Sequence, residues 1–579
     1  MAPHESTSSS FMKSLFTGDI AQEIIFPYPM PDAEELENIH LILQAWREFA
    51  DDNIDARQID RDKKIPKEVS DGMKELGFFG MSIPEEYGGG GMSKTGYARI
   101  FEEICTRDAS IATSLGAHLS IGTNGLLMYG NEKQKQHYLP KLASGEWTAC
   151  FALTEPGAGS DAAGIQTFAK LNEAKTEFIL NGGKIWITNG GTADLATVFA
   201  KTDVHEKGEV RQKITAFLVE TAWEGVSHGK PEDKLGIRGS NTASLNFDNV
   251  RVPVENVLGP VGKGFKIAME VLNTGRLSLA AGCVGGCKAL IHKSIDYARN
   301  RKQFGQPIAE FEMIQNKISR MVANTYAAES MVYLTAGLAD RKVVDYSLES
   351  AICKVAASEI LWDTVNETMQ IAGGLGYSAE YEYERFMRDA RINLIFEGTN
   401  EILRAFIALS GMQGPGEYLK KIGKALRDPI KGFGLLTEFA VHKVKDRVIH
   451  DSLKNTDPRL KEQVDKFNDY AAELKQVVEK VLMKYGKEII HREFILERIA
   501  NIAIDLFGIV AVISRIDTRM KADKPVDQEL PPMRLYCDMA WRRIRRNLRQ
   551  IDNNSDAVRK EIVAHAYELN RFPFEVLDF

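Results

Sequence analysis

Only six of the 579 residues are cysteine (Cys105, Cys150, Cys283, Cys287, Cys353, Cys537), and no two of them form a Cys-x-x-Cys pair. That excludes a disulfide framework and a zinc ribbon and fits a reducing compartment. Cys283 and Cys287 stand one helical turn apart, but with no His or Cys close by they read as small core residues. An excess of positive charge is missing too. The 73 Lys and Arg face 80 Asp and Glu, for a net charge of −7, the wrong sign for a general nucleic-acid binder. The start, from Met1 to Phe16, is Ser-rich with Glu5 and Lys13 and no apolar run, which matches neither a secretory signal nor an Arg-rich transit peptide. A cytoplasmic location is expected. The most apolar stretch, residues 499–513, is broken by Asn501 and Asp505, so a buried helix is expected there and not a membrane span.

What remains is the composition of a globular protein, 44% hydrophobic and 26% charged, long enough for about three or four domains. After a flexible start and the turn Pro27-Tyr28-Pro29-Met30-Pro31, helical periodicity runs with interruptions from Ala33 to Ser144. Gly88-Gly89-Gly90-Gly91 marks a tight loop. From Trp147 to Pro260 the pattern becomes short β-rich runs: Phe178-Ile179-Leu180, Ile185-Trp186-Ile187, residues 196–200, 214–219 and 244–247. The turns Asn181-Gly182-Gly183 and Asn189-Gly190-Gly191 separate them, which reads as a small β-barrel or sandwich. Helices return from Phe265 to Met412 and suggest a bundle. Gly414-Pro415-Gly416 then opens a basic stretch, and a last helical region follows.

The segment ending in Leu394-Ile395-Phe396-Glu397-Gly398-Thr399 carries the most chemistry. A carboxylate approached through apolar residues has its charged form disfavoured, which raises its pKa toward that of a general base. The glycine after it allows close approach of another molecule. Earlier, Thr154-Glu155-Pro156-Gly157-Ala158-Gly159-Ser160-Asp161 is a small-residue loop with free backbone N–H groups, suited to phosphate or a planar ring. It lacks the Lys-Ser/Thr of a nucleotide-hydrolysing loop and the dinucleotide fingerprint. In Lys184-Ile185-Trp186-Ile187-Thr188-Asn189-Gly190, Trp186 and Thr188 fall on one face of a strand.

Together with Lys234-Leu235-Gly236-Ile237-Arg238-Gly239-Ser240, Arg301-x-x-Phe304-Gly305 and Gln370-x-x-Gly373-Gly374, these motifs resemble the acyl-CoA dehydrogenase family over about residues 30–412. Phe26-Pro27-Tyr28-Pro29, Asn400-Glu401-Ile402-Leu403-Arg404 and the C-terminal extension resemble its very-long-chain branch. The resemblance implies an α+β, mostly helical fold. Its parts would be an N-terminal extension (1–32), a helical domain (33–146), a middle β-barrel domain (147–260), a C-terminal four-helix bundle (261–412), a basic linker (413–455) and an extra helical domain (456–579). It implies FAD, with Phe151, Thr154 and Ser160 lining flavin and pyrophosphate, Trp186 covering the ring and Thr188 reaching N5. Arg301 and Phe304 would come from a partner subunit, with Gln370, Gly373, Gly374, Thr399 and Glu401 completing the site. Many members carry Gln where Glu312 stands, so that adenine contact is not carried over.

Glu397 would be the base that removes the α-proton of a fatty acyl-CoA thioester while the β-hydrogen leaves as hydride to the flavin. Some members place the base one residue before the position of Arg276, but here that residue is Gly275. Ser160, Asn273, Arg276, Glu397 and Gly398 would contact substrate. The Glu397 backbone N–H and a flavin ribityl hydroxyl would serve the enolate oxygen, each such donor being typically worth about 3 kcal/mol. Small residues between Ser114 and Gly125 (Gly116, Ala117, Ser120, Gly122) would floor a deep acyl pocket and favour long chains. An acyl-CoA oxidase shares these parts; Phe396 to Glu401 fits the dehydrogenase branch better. A scaffold that has dispensed with catalysis has no reason to keep Glu397, Trp186, Thr188 and Arg301. The implied partners are electron-transferring flavoprotein and a second copy of the chain, as a homodimer. The basic residues of 415–450 (Lys420, Lys421, Lys424, Arg427, Lys431, Lys443, Lys445, Arg447) suggest an amphipathic contact with an anionic, inner membrane surface. No metal site is expected. Arg542-Arg543-Ile544-Arg545-Arg546 reads as a solvated face or as ion-pair partners.

Overall fold

The computed structural model describes residues 10–206, 208–341, 345–427 and 451–576. They divide into two compact units: Ser10 and Phe11 with Gln22–Leu403 and Ala511–Tyr536, and the described residues of Arg404–Val510 with Met12–Ala21 and residues 537–576. In the first unit, helices from Ala33–Asn53 to Glu132–Ala143 precede an eight-stranded sheet. Its strands are β1 (Ala149–Ala152), β2 (Phe168–Leu171), β3 (Glu177–Thr188), β4 (Leu195–Glu206), β5 (Glu209–Glu220), β6 (Val226–His228), β7 (Thr242–Pro253) and β8 (Val257–Leu258). They pair in the order β6-β7-β3-β2-β4-β5-β8, with β1 beside β4. The helices Gly264–Asn300, Glu312–Asp340, Ser347–Ala372 and Tyr383–Arg391 follow.

Three local expectations are corrected. The start is not flexible from Ser10 onward: Phe11–Thr17 is a helix with Phe11, Met12, Leu15 and Phe16 fully buried. Their i, i+1, i+4, i+5 spacing gives one apolar face. Asn181-Gly182-Gly183 is not a turn between strands but an irregularity inside β3, where the register to β7 shifts between Leu180 and Gly182. Gly182 has φ 141°, and a Cβ there would lie 2.5 Å from Thr167 Oγ1, so the glycine serves close packing. Gly414-Pro415-Gly416 does not end a helix, since Asn400–Arg427 runs through it. Gly411 gives room to Phe16, since a Cβ on it would fall 2.5 Å from the Phe16 ring. The apolar stretch 499–513 forms the expected buried helix: it lies in Glu493–Lys521, which by length and composition alone could cross a membrane, but 89% of its apolar window is buried.

Within the second unit, the arginine run supplies ion pairs. Arg543 grips the buried Asp505 at 2.6 Å and Arg542 meets Asp538 at 2.7 Å. Of the basic stretch, Lys420 and Lys421 fall on the helix Asn400–Arg427, while Lys431, Lys443, Lys445 and Arg447 lie outside the described residues. No cysteine is in a disulfide, and no acid–His–Cys cluster could hold a metal among the described residues.

The element flooring the expected pocket is less regular than a single helix. After Ala109–Gly116 the chain widens into a π-helical turn, Ala117–Thr123, a feature often found at functional sites. His118 in this turn is buried, and burial pushes its pKa down to about 4. Its Nδ1 accepts the Ala149 N–H at 3.0 Å and Nε2 faces the carbonyls of Phe79 and Leu142 at 3.1 and 3.2 Å. That pattern defines a neutral ring protonated on Nε2, and it fastens the floor to β1.

Close helix packing sets the bundle. A Cβ on Gly285 would stand 2.1 Å from the Glu102 carbonyl oxygen, whereas one on Gly286 would meet only the Leu361 side chain at 3.0 Å. Gly285→Ala is expected to destabilise the protein by about 1–3 kcal/mol through overpacking, and Gly286→Ala by less. Thermal unfolding of the two variants checks the order.

Candidate functional site

The chain reaches Glu397 through the helix Tyr383–Arg391 and the 3₁₀ turn Ile392–Leu394, then leaves in the helix beginning at Asn400. Glu397 and Gly398 both have left-handed backbones, φ 58° and 93°. A glutamate rarely adopts this conformation, and such strain persists where the surroundings enforce it. Two buried cations do so here. Arg276 Nε donates to the Glu397 carbonyl at 3.2 Å, and its Nη1 to Asn273 Oδ1 at 3.1 Å. Lys354, with no exposed surface, donates to the Gly398 carbonyl at 2.8 Å and to Asn400 Oδ1 at 2.7 Å.

The Glu397 carboxyl lines a largely apolar cavity of about 130 Å³. Its Oε2 is shielded from solvent and has no hydrogen-bond partner. Burial pushes its pKa up to about 7, against the opposing pull of Arg276 and Lys354. The space it fills is left by Gly275: a Cβ there would lie 2.8 Å from Glu397 Oε2 and 2.7 Å from Ile121 Cγ2. Any side chain at position 275 therefore competes with this carboxyl for one volume. Thr188 at the end of β3 lines the same cavity, as do Gly116, Ala117 and Ser120 of the floor.

Trp186 has φ 59° and is 58% exposed, at the second register shift of β3, between Lys184 and Ile187. An exposed indole on a left-handed backbone is costly on its own account. The adjoining loop is held from beneath by a buried ion pair that sequence reasoning missed. Lys184 Nζ meets Glu155 Oε1 at 2.7 Å and donates to the Leu153 carbonyl at 3.0 Å. The Glu155 carboxyl also accepts N–H bonds from Gln166 and Thr167 at 2.5 and 3.0 Å. Burial lowers the Lys184 pKa to about 8, opposed by Glu155. Above this anchor Gly157, Gly159 and Ser160 are exposed, and a Cβ on either glycine would have nothing within 4 Å. Packing does not require glycine there, so the open backbone is free for a ligand to approach.

The remaining expected residues are spread more widely. Phe151 packs in the core, 4.9 Å from the Phe199 ring, and Thr154 is half-buried beside it. Arg301 and Gln370 are exposed, Phe304 is 94% exposed at φ 52°, and Gly373 and Gly374 open onto free space. None of these lines the Glu397 cavity. Thr399 Oγ1 accepts the Ile402 N–H at 3.3 Å, so it caps the next helix, and Glu401 is exposed. Lys354 was missed as well, although a lone lysine inside Ala351-Ile352-Cys353-Lys354-Val355-Ala356-Ala357 is a visible signal of a buried charge with a task.

An apolar cavity with one orphaned carboxyl on a strained backbone, beside a strand that presents an indole and a threonine, has the chemistry suited to abstracting a proton next to a planar group. Family models agree with this class and extend along the chain: "Acyl-CoA dehydrogenase, N-terminal domain" matches residues 37–146, the middle domain 150–250, the C-terminal domain 262–412, and "ACAD9/ACADV, C-terminal domain" 458–568. The chain belongs to the acyl-CoA dehydrogenase family. It is 42% identical to the very long-chain specific acyl-CoA dehydrogenase, mitochondrial, of Bos taurus, over 95% of this chain and 85% of the relative. It is 39% identical to a probable acyl-CoA dehydrogenase of Bacillus subtilis over 81% of this chain and 78% of that one. The crystal structure of an acyl-CoA dehydrogenase complexed with FAD from Bacillus anthracis superposes with a TM-score of 0.78 at 33% identity, covering 98% of this chain and 96% of that one.

The raised Glu397 pKa has a consequence for stability. Between the ordinary value of 4.5 and about 7 the folded state holds a proton that the unfolded chain has lost, so this group's ionisation destabilises the fold as pH rises through that window. Glu397→Gln removes the dependence. The melting temperature of the variant minus that of wild type is expected to rise by a few degrees from about pH 4.5 to about pH 8, measured by calorimetry across that range.

Proposed function

We propose that this protein is an FAD-dependent acyl-CoA dehydrogenase that converts long-chain fatty acyl-CoA thioesters to trans-2-enoyl-CoA, the first step of fatty acid β-oxidation. The observation that carries the reading is the unpartnered, buried Oε2 of Glu397 in a cavity shared with Thr188. The residues present fit a flavin. The open loop backbone at Gly157 and Gly159 gives a diphosphate access, exposed Trp186 offers a stacking face, and Thr188 offers a hydroxyl at the cavity wall. Phe151, Thr154, Ser160, Trp186 and Thr188 would hold FAD from one chain. Arg301, Phe304, Gln370, Gly373 and Gly374 are exposed and suit the FAD of a second copy, with Thr399 and Glu401 closing the site. When bound, FAD supplies an acceptor for the β-hydrogen and its electron pair.

Glu397 removes the α-proton. With a pKa near 7 its ionised form is abundant at neutral pH, while the proton it takes is held well. Its strained backbone, pinned by Arg276 and Lys354, keeps the carboxylate aimed without reorganisation, and the Glu397 N–H is available to the thioester oxygen as enolate charge develops. Asn273, Arg276, Gly398 and Ser160 would contact the acyl-CoA along its entry. Ile121, Phe396 and the floor exclude water from the reacting carbons. Gly116, Ala117 and Ser120 leave depth for a long chain, in line with the very long-chain name of the Bos taurus relative. Electrons would pass to electron-transferring flavoprotein, and the working unit would be a homodimer, with a membrane contact through residues 415–450.

A chain-length series of acyl-CoA substrates with a dye acceptor tests this. Wild type should be most active on chains of about C14 to C18, and Glu397→Gln should keep FAD while losing about 10²-fold to 10⁴-fold in rate. A maximum on C4 to C6 with none on C16, or full activity in Glu397→Gln, would contradict it.

A further inference from the structure

The Glu397 cavity is apolar over most of its wall, but Arg107, Arg385, Asp389 and Asn393 also line it. Arg107 and Arg385 belong in addition to the wall of a separate charged surface groove, to which Glu397 does not contribute. The two arginines thus form a partition between cavity and groove. Arg107 is committed to Asp51 at 2.6 Å. Arg385 is different. It is 7% exposed, and its guanidinium carries five N–H donors, yet its charged neighbours stand at ion-pair distances only: Asp389 at 3.5 Å, Asp108 at 3.8 Å and Glu382 at 3.9 Å. None of these reaches the 2.7–3.2 Å of an N–H···O bond, and no hydrogen bond from Arg385 forms among the described residues. Arg388, one turn along the same helix, shows what a satisfied arginine looks like here, with bonds of 2.7 to 3.1 Å to Asp60, Glu384 and the Leu235 carbonyl.

Asp389 completes the feature. Its Oδ1 accepts the Ile237 N–H at 2.5 Å, while its Oδ2 is the atom nearest Arg385. The wall of an acyl cavity therefore presents unused donors beside a carboxyl able to accept. A methyl-ended chain uses neither. The Arg385 nitrogens are not sealed off, unlike Arg99 Nη1 and Arg238 Nε, which are buried without a partner, so Arg385 still has donors open to an incoming oxygen.

We propose that Arg385 and Asp389 form a polar subsite for the oxygenated end of an acyl chain, so that ω-hydroxylated long-chain acyl thioesters are substrates of this enzyme; this rests on the dehydrogenase reading above. A hydroxyl accepts from Arg385 and donates to Asp389 at once. An ω-carboxylate would bring a further negative charge beside Asp108 and Asp389 and is disfavoured on electrostatic grounds. Burial holds the Asp389 pKa up to about 7, against the pull of Arg385, which keeps part of this carboxyl neutral and suits a neutral ligand.

The test compares kcat/KM for plain and ω-hydroxy acyl-CoA at each even length from about C8 to C20, using FAD-loaded protein and a dye acceptor. Where the hydroxyl falls in the apolar section, it should cost about tenfold or more. At the length that reaches Arg385 the penalty should vanish or reverse. In Arg385→Met the ratio at that length should return to the short-chain penalty, and Arg385→Lys should restore part of it. A constant penalty at every length in wild type overturns the proposal, whether or not the variants fold. So does an unchanged ratio in Arg385→Met, or a preference for the ω-carboxy analogue over the ω-hydroxy one. Absence of turnover on plain and hydroxylated substrates alike overturns the dehydrogenase reading itself.

Discussion

The rest of the site depends on keeping one carboxylate out of water without giving it a partner. Glu397 feels only the field of Arg276 and Lys354: Arg276 donates to the Glu397 carbonyl and to Asn273, and Lys354 to the Gly398 carbonyl and to Asn400. A direct salt bridge would have lowered the pKa and removed the base. Binding the main chain instead fixes the carboxylate's position while leaving Oε2 unclaimed. Gly275 supplies the volume and Ile121 the apolar wall.

The β-sheet meets this constraint from the other side. Strand β3 has to present Trp186 outward and Thr188 into the cavity within three residues, and the register shift before Ile187 makes that possible. A regular strand could not carry an indole at φ 59°. Lys184, one residue before the bent segment, is fully buried against Glu155. Removing one partner of such a pair typically costs about 3–5 kcal/mol. The pair ties the open loop to the strand that carries Trp186, so the surfaces offered to a ring and to a diphosphate move as one piece.

Much of this was legible in the chain. The β-rich runs, the helical bundle and the desolvated Glu397 follow from periodicity and from apolar flanks, which are local signals. The family resemblance assigns Thr188 and Glu397 to one site, and both line one cavity. What escaped is non-local. Nothing in Ile352-Cys353-Lys354 tells which carbonyl the lysine will reach, because Gly398 is distant in sequence. Glycine was also ambiguous: the same residue type signals a turn, a close approach or an open ligand face. Gly182 was read as a break and proves to be a packing contact, whereas Gly157 and Gly159 touch nothing. Arg385 sits in a charged helix that looks like ordinary surface, and only the fold turns it inward.

The central claim is that burial, acting on Glu397, creates the base. The most direct measurement is the rate of flavin bleaching in a single turnover, at saturating long-chain acyl-CoA, as a function of pH. The rate should rise with pH through one ionisation near 7, and that ionisation should be missing from the residual rate of Glu397→Gln. A midpoint near the ordinary carboxylate value of 4.5, or a profile unchanged by the substitution, would contradict the account.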